Sequence, residues 1–347
     1  MLRARLKPLE GTPTKGNAAV AIVLATFGIG CGGGTSPEPD ADDRRLAAVI
    51  KGVENPFFAT MRDGLESTAR HHDTPLRVDA AAGLQDTAGQ ATTLESLASE
   101  RASCYVVNPI TPTNLIGPLD HLPQETPIVN IDSPIDRQAA DAVGVAITTY
   151  VGTDNVAAGD AAADAMAGLV DRGARVAVIT GIPGDVGSGD RTQGFKAGAR
   201  GRFAVVQTVS ADFERKRARL AAGELLRADP GLRGVFAVND EMALGIADAV
   251  VAAGRKGRVA VIGMDGIRPA LAAIKRGTMS ATVAQYPYTI GQLGVEACLA
   301  TLRGNRVPAR IDAPVQVVTN ANVERAEANF PQPVEPFDDP FAGVLAD

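Results

Sequence analysis

The sequence predicts an α/β protein of two lobes, each built on a parallel sheet. Three observations carry that reading. From Leu46 onward a short apolar run, a Gly, Asn or Pro break and an amphipathic stretch repeat along the chain, and such alternation implies βαβ units with parallel pairing. Ten such runs are many for one open sheet, whereas two lobes of about five strands each suit 347 residues at roughly 100–200 residues per domain. Polar side chains follow one apolar run after another, and the carboxyl ends of parallel strands are where such sheets hold ligands.

The chain begins with an address. Arg3, Arg5, Lys7 and Lys15 precede an apolar stretch from Ala18 to Gly30, and Cys31 follows. A basic region before a short apolar core reads as a secretory signal, too short for a membrane-spanning helix of about 20 residues. Gly32 to Asp40 is rich in Gly, Ser and Pro and forms a flexible tether. The arrangement resembles a bacterial lipoprotein signal, which implies lipidation of Cys31, although Gly28 stands where that pattern prefers Leu or Val. Gly28 to Gly33 also matches the G-x-G-x-x-G spacing of a dinucleotide loop. Such a loop works only between a strand and a helix, and here a tether follows, so the match is accidental.

The body supplies strand-like runs at Leu46 to Ile50, Leu76 to Val78, Tyr105 to Val107, Ile128 to Ile131 and Gly144 to Ile147. They continue at Val176 to Ile179, Ala204 to Val206, Val235 to Val238, Val259 to Ile262 and Ala281 to Ala284. Ala-rich stretches with 3.6-residue periodicity, such as Asn155 to Leu169 and Glu241 to Ala253, read as helices between them. Cys104 falls in a strand-like run and Cys298 in a helix-like one. Their spacing suggests no disulfide framework, so both are expected as buried free thiols. The tail from Asn320 is rich in Pro and acidic residues, and is expected on the surface or disordered.

Composition narrows the function. Hydrophobic residues at 45% and charged residues at 21% exclude wholesale disorder. A net charge of −6 argues against a nucleic-acid partner, which needs a basic face. The basic run Arg215-Lys216-Arg217-Arg219 reads as a solvated helix face. Three His and three Cys leave little material for a metal site, and no nucleophile stands beside a base, so neither a cofactor nor an enzyme is expected. With no Trp and 4% aromatics, a ring at a strand end is informative.

Those strand ends carry groups suited to a hydroxylated ligand. Lys51 and Asn55-Pro56-Phe57-Phe58 follow the first run, Asn108 the third, and Asp132-Ser133 the fourth. In the second half Arg191 follows a Gly-rich loop, and Asp212-Phe213, Asn239-Asp240, Met264-Asp265 and Gln285 close later runs. Several also have a purely structural reading. Asn55 and Asn239 suit helix N-caps, Asp265-Gly266 suits a turn, and Phe57 and Phe58 suit a core face.

Asn55-Pro56-Phe57-Phe58, Gly152-Thr153-Asp154-Asn155, Asn239-Asp240-Glu241-Met242-Ala243, Asp265-Gly266 and Ala281-Thr282-Val283-Ala284-Gln285 resemble the sugar-binding proteins of bacterial ABC transporters. The nearest subfamily is the ribose- and allose-binding one, and the likeness runs in order from about Leu46 to Val318. It implies the type I periplasmic binding protein fold, two Rossmann-like lobes joined by a three-segment hinge with the ligand between them. The implied domains are a signal peptide over 1–30, a tether over 31–43, one lobe over 44–149 plus 286–310, and the other over 150–285 plus 311–320, with 321–347 as the tail.

Carried over residue by residue, the resemblance gives Asn55, Phe57, Phe58, Asn108 and Asp132 to the first lobe. It gives Arg191, Phe213, Asn239 and Asp265 to the second and Gln285 to the hinge. Lys51 stands where the ribose pattern has Ser and the allose pattern has Lys, Ser133 replaces an Arg, and Met264 replaces a ring. The implied protein is a monomeric extracytoplasmic lipoprotein that delivers a monosaccharide or polyol to an ABC permease. Its alternatives are a receptor for a membrane signalling protein, and the core of a lactose-repressor-type regulator. The latter needs a helix-turn-helix where this chain has the signal and tether.

Overall fold

Short runs rich in Val, Ile and Ala form the strands, because β-branched and small side chains pack well on a pleated surface covered on both sides. The computed structural model describes residues 45–345. The signal-like segment, the tether and Cys31 lie outside the described residues. One sheet holds β1 (Leu46–Ile50), β2 (Leu76–Ala80), β3 (Cys104–Val107), β4 (Ile128–Ile131), β5 (Thr149–Gly152) and β11 (Arg310–Asp312). Its spatial order is β11-β5-β4-β3-β1-β2, and every neighbouring pair is parallel. The other sheet holds β6 (Arg175–Thr180), β7 (Ala204–Ser210), β8 (Leu232–Ala237), β9 (Ala260–Asp265), β10 (Ala281–Gln285) and β12 (Val315–Thr319). Its order is β12-β10-β9-β8-β6-β7, parallel except for the β10–β12 pair.

Helices follow the strands. In the first lobe they are α1 (Pro56–His71), α2 (Thr87–Ala98), α3 (Ile116–Asp120) and α4 (Arg137–Ala142), joined late in the chain by α10 (Pro287–Leu302). The second lobe has α5 (Asn155–Ala167), α6 (Val186–Gly198), α7 (Arg215–Ala228), α8 (Asp240–Ala252), α9 (Arg268–Lys275) and α11 (Val323–Asn329). Many starts are set by an Asx side chain. Asn55, Asp86, Asp136, Asp154, Asp185 and Asn239 each accept a backbone N–H of the first turn, satisfying a donor the helix leaves open. The chain passes between the sheets after β5, after β10 and between β11 and β12.

The two-sided cover is visible along β1. Leu46, Ala48 and Ile50 pack with Phe57, Met61 and Leu65 of α1 in one core. Ala47 and Val49 pack with Leu94 and Leu97 of α2 in another. Successive strand residues point to opposite faces, so a fully buried run needs a helix on each side. Each such buried Val, Leu or Ile contributes about 1.5–3 kcal/mol.

Three sequence expectations change here. Cys104 and Cys298 are not free thiols: they form a disulfide, with Cα atoms 5.8 Å apart across 194 residues. Alternation puts Cys104 on the face of β3 that α10 covers, an approach that spacing along the chain cannot reveal. Gly144 to Ile147 is not a strand. Gly144 takes φ +81° and ends α4 with Gly144 N–H donating to Asp141 and Val145 N–H to Ala140, a glycine C-cap, so the strand starts only at Thr149. The segment after Asn320 carries α11 and buries Val334, Phe341 and Leu345. Arg268 of α9 lies 4.2 Å from the Phe330 ring centroid, and Lys275 pairs with Glu327 at 2.7 Å. These anchors are too irregularly spaced to show a period.

Candidate functional site

The carboxyl ends of both sheets open onto a cleft of about 450 Å³, within the range of small-molecule sites. It is lined by Lys51, Asn55, Phe57, Phe58 and Asp132 from the first lobe, and by Arg191, Phe213, Asn239 and Asp265 from the second. Strand alternation and helix starts explain the convergence. Lys51 and Asp132 directly follow β1 and β4, Asn55 caps α1 while Phe57 and Phe58 occupy its first turn, and Asn239 caps α8. The structural readings of Asn55 and Asn239 therefore hold beside their place in the cleft, since one amide oxygen caps the helix and the rest of the group remains.

Two of the predicted residues do not line the cleft. Asn108 is fully buried behind it, with Nδ2 donating to the Met61 sulfur at 3.6 Å and Oδ1 unpartnered among the described residues. Gln285, at the end of β10, works from beneath. Its Nε2 donates to Asp265 Oδ1 at 2.8 Å and its Oε1 accepts from Arg191 Nη2 at 3.2 Å.

Arg191 is held on several sides. Nε donates to Asn155 Oδ1 and Nη1 to the Val238 carbonyl, each at 2.7 Å, and Asp265 Oδ1 lies 3.7 Å from Nη1. Three of the five N–H groups of a guanidinium are thus used and two remain. Asn155, which orients this fork, was missed as a functional residue. It stands in the Gly152-Thr153-Asp154-Asn155 motif, but its sequence position marks only a helix start. Burial pushes the Asp265 carboxyl well above the usual range, with Asp240 adding to the rise and Arg191 opposing it. Asp240, beneath it, is pushed up to about 7 by burial against the pull of Thr282, Ile267 and Gly266 donors.

On the other side of the cleft, Lys51 Nζ donates to Ser133 Oγ at 2.6 Å. Ser133 Oγ donates in turn to Asp132 Oδ2 at 3.2 Å. Lys51 also lies 3.9 Å from Asp132 Oδ2 and 5.4 Å from the Phe58 ring centroid. A short side chain at 133 leaves the space in which the Lys51 ammonium sits. Phe57 and Phe58 meet edge to face, with centroids 5.2 Å apart. Phe213 reaches in from the second lobe across Gly181, where a Cβ would stand 2.1 Å from the Phe213 ring. The rim adds Leu84, Ile110, Pro134, Ile182 and Val186. Loop apolar residues carry no periodic signal, so the sequence did not single them out.

The backbone is unusual here. Seven non-glycine residues among those described have positive φ, and Asp132, Asp212, Phe213 and Asp265 all belong to this cleft. Such conformations cost about 1–3 kcal/mol each and gather at functional sites. No cluster of three or more metal-type ligands occurs among the described residues, and none of their helices is long and apolar enough to cross a membrane.

Two α/β lobes with a polar and aromatic cleft between strand ends define a two-lobe ligand-binding protein. The periplasmic binding protein domain matches residues 46–306. The chain is 33% identical to the ribose import binding protein of Bacillus subtilis (strain 168), over 78% of this chain and 85% of that one. It is 31% identical to the D-allose-binding periplasmic protein of Escherichia coli (strain K12), over 75% and 85%. An ABC transporter periplasmic solute-binding protein from Actinobacillus succinogenes, solved with bound D-allose, superposes with a TM-score of 0.74 at 30% identity, covering 81% of this chain and 99% of that one. The chain belongs to the periplasmic binding protein family.

Proposed function

We propose that this protein is an extracytoplasmic solute-binding lipoprotein that captures a monosaccharide or polyol between its lobes and delivers it to an ABC importer. The observation that carries the reading is the meeting of paired-hydroxyl acceptors, fork donors and three phenyl rings from both lobes in one cleft. A sugar presents vicinal hydroxyls, each a donor and an acceptor, above small apolar faces. Asp132 and Asp265 can each accept from two neighbouring hydroxyls, and Arg191 donates from a fixed fork. Charge-assisted bonds contribute about 1.5–3 kcal/mol each, and a buried partner left unmet costs a similar amount. A ligand lacking the right hydroxyl is therefore rejected. Phe57, Phe58 and Phe213 supply the apolar contact.

Lys51 in place of a Ser, and Ser133 in place of an Arg, move one cation from the loop after β4 to the end of β1. This favours an allose-like pattern over strict ribose selectivity, and the relatives named for ribose and D-allose support a sugar of that size. The Cys104–Cys298 disulfide supports a location outside the cytoplasm, where such bonds persist. The anchor reading rests on Cys31 after its signal-like stretch.

Thermal-shift screening of a pentose, hexose and polyol panel on the protein lacking residues 1–31, followed by calorimetry, tests the reading. One or a few ligands are expected at micromolar affinity or better, and no response to any of them rejects it. Mass spectrometry of membrane fractions tests the anchor: a diacylglyceryl Cys31 is expected, and a free secreted protein with another N-terminus refutes it.

A further inference from the structure

We propose that Tyr150 is the positioning residue for Asp132, holding its backbone in the left-handed conformation that aims the carboxylate into the cleft. Asp132 has φ +59°, a region that the close approach of Cβ to the following carbonyl oxygen makes unfavourable for an L-residue. Something must hold it there. Its N–H donates to the Val151 carbonyl at 2.8 Å, and its own carbonyl accepts the Tyr150 hydroxyl at 2.7 Å. Both of these grips come from β5, the neighbour of β4, while the Ser133 N–H closes a turn across Asp132 by donating to the Ile131 carbonyl at 2.7 Å. Tyr150 does not touch the cleft, and no motif pointed to it.

The tyrosine is itself held. The guanidinium of Arg310, on the adjacent β11, lies 5.1 Å from its ring centroid, and Arg310 is fixed by Asp312 at 2.7 Å. The hydroxyl lies where a side chain two residues along the strand would be: a Cβ at Gly152 would stand 2.3 Å from it. Glycine at 152 thus makes the room that lets Tyr150 run along β5 to the Asp132 carbonyl. With the backbone pinned, the carboxylate keeps Oδ2 on Ser133 and leaves Oδ1 for a ligand. The proposal rests on the reading of the cleft as a sugar site only for its effect on affinity. The effect on Asp132 geometry is independent of any ligand.

The test is Tyr150→Phe, which removes one oxygen and keeps the ring, with Gly152→Ala as a second variant that displaces the hydroxyl instead. The ligand-free crystal structure and the Asp132 backbone chemical shifts are read first. Asp132 is expected to leave the left-handed region in both variants, and an unchanged Asp132 overturns the proposal. Calorimetry with the tightest sugar of the panel is read second. Tyr150→Phe is expected to weaken binding about tenfold, the scale of one well-placed hydrogen bond, and to have less than about a twofold effect in an Asp132→Ala background, where no side-chain acceptor is left to aim. Equal losses in both backgrounds overturn the proposal, because Tyr150 would then act on the fold at large. If no sugar binds the unmodified protein, the sugar reading falls and the ligand-free geometry alone decides the role of Tyr150.

Discussion

Asp132 and Asp265 face the same cleft from opposite electrostatic settings. Asp132 sits beside the Lys51 ammonium and a serine hydroxyl, on strained backbone. Asp265 is buried, its carboxyl pushed up by desolvation and restrained by Arg191 and Gln285. On the proposed function, replacing either by Ala removes an acceptor for ligand hydroxyls and strands the cation beside it. We expect Asp132→Ala and Asp265→Ala each to weaken sugar binding by a hundredfold or more, about 3 kcal/mol on the scale of charge-assisted bonds. Circular dichroism should still report a folded chain. Calorimetry showing near-normal affinity in both variants would reject this site.

Helix α10 carries two devices. It leaves β10 at the crossing and packs closely on α1 and the first sheet, Gly291 against the backbone of Met61 and Gly294 against Ile131 and Val106. The Cys104–Cys298 bond locks this packing covalently. Closing so long a loop removes freedom from the unfolded chain, so Cys104→Ala with Cys298→Ala should lower stability by about 2–4 kcal/mol. Equal urea midpoints and slopes for the two proteins would contradict this. Both sulfurs are buried, so mild reductant without denaturant should leave the bond intact.

The same helix buries Glu296, whose Oε1 accepts from Gln292 while Oε2 has no partner among the described residues. Burial, with Asp339 adding to it, pushes its carboxyl from 4.5 up to about 7. A raised carboxyl keeps its proton in the folded chain after the unfolded chain has released it. Stability contributed by Glu296 is therefore full below the unfolded value, falls as pH rises through that window, and levels off above about 7. Unfolding midpoints should drop between pH 5 and pH 8 by more in the unmodified protein than in Glu296→Gln. Equal drops in the two would reject the assignment.

At the scale of the whole molecule, the cleft is complete only with both lobes. Arg191, Phe213, Asn239 and Asp265 stand on one lobe, and Lys51, Asn55, Phe57, Phe58 and Asp132 on the other. On the proposed function, a ligand touching both sets favours a closed arrangement of the lobes and shifts the population towards it. Addition of the sugar identified by screening should reduce the radius of gyration in solution scattering. At a hundredfold excess over Kd it should also add about 2.7 kcal/mol of stability. Stabilisation without compaction would place the ligand on one lobe alone. The tail bears on the same region. The Val334 N–H donates to the Tyr286 hydroxyl at 3.3 Å, and that hydroxyl donates to Gln316 at 3.2 Å, so the tail backs the segments where the chain passes between lobes.

The order of elements was legible from the residues alone, because parallel strands buried on both faces must read as apolar runs and their helices as amphipathic ones. Asn55 and Asn239 announced helix starts through their capping chemistry. The strand-end positions of Lys51, Asp132 and Asp265 followed from the same pattern, whereas Arg191 stands within α6. Gly144 misled, since an apolar run after a glycine reads alike in a strand and in a helix exit. What the sequence could not contain was distance across the fold. The Cys104–Cys298 bond, the Tyr150 hydroxyl on Asp132, the cation of Lys51 in the space above Ser133 and the apolar tail against the second lobe join residues far apart in the chain. Periodicity records which face a side chain takes on its own element, and only the packing of one element against another decides what that face meets.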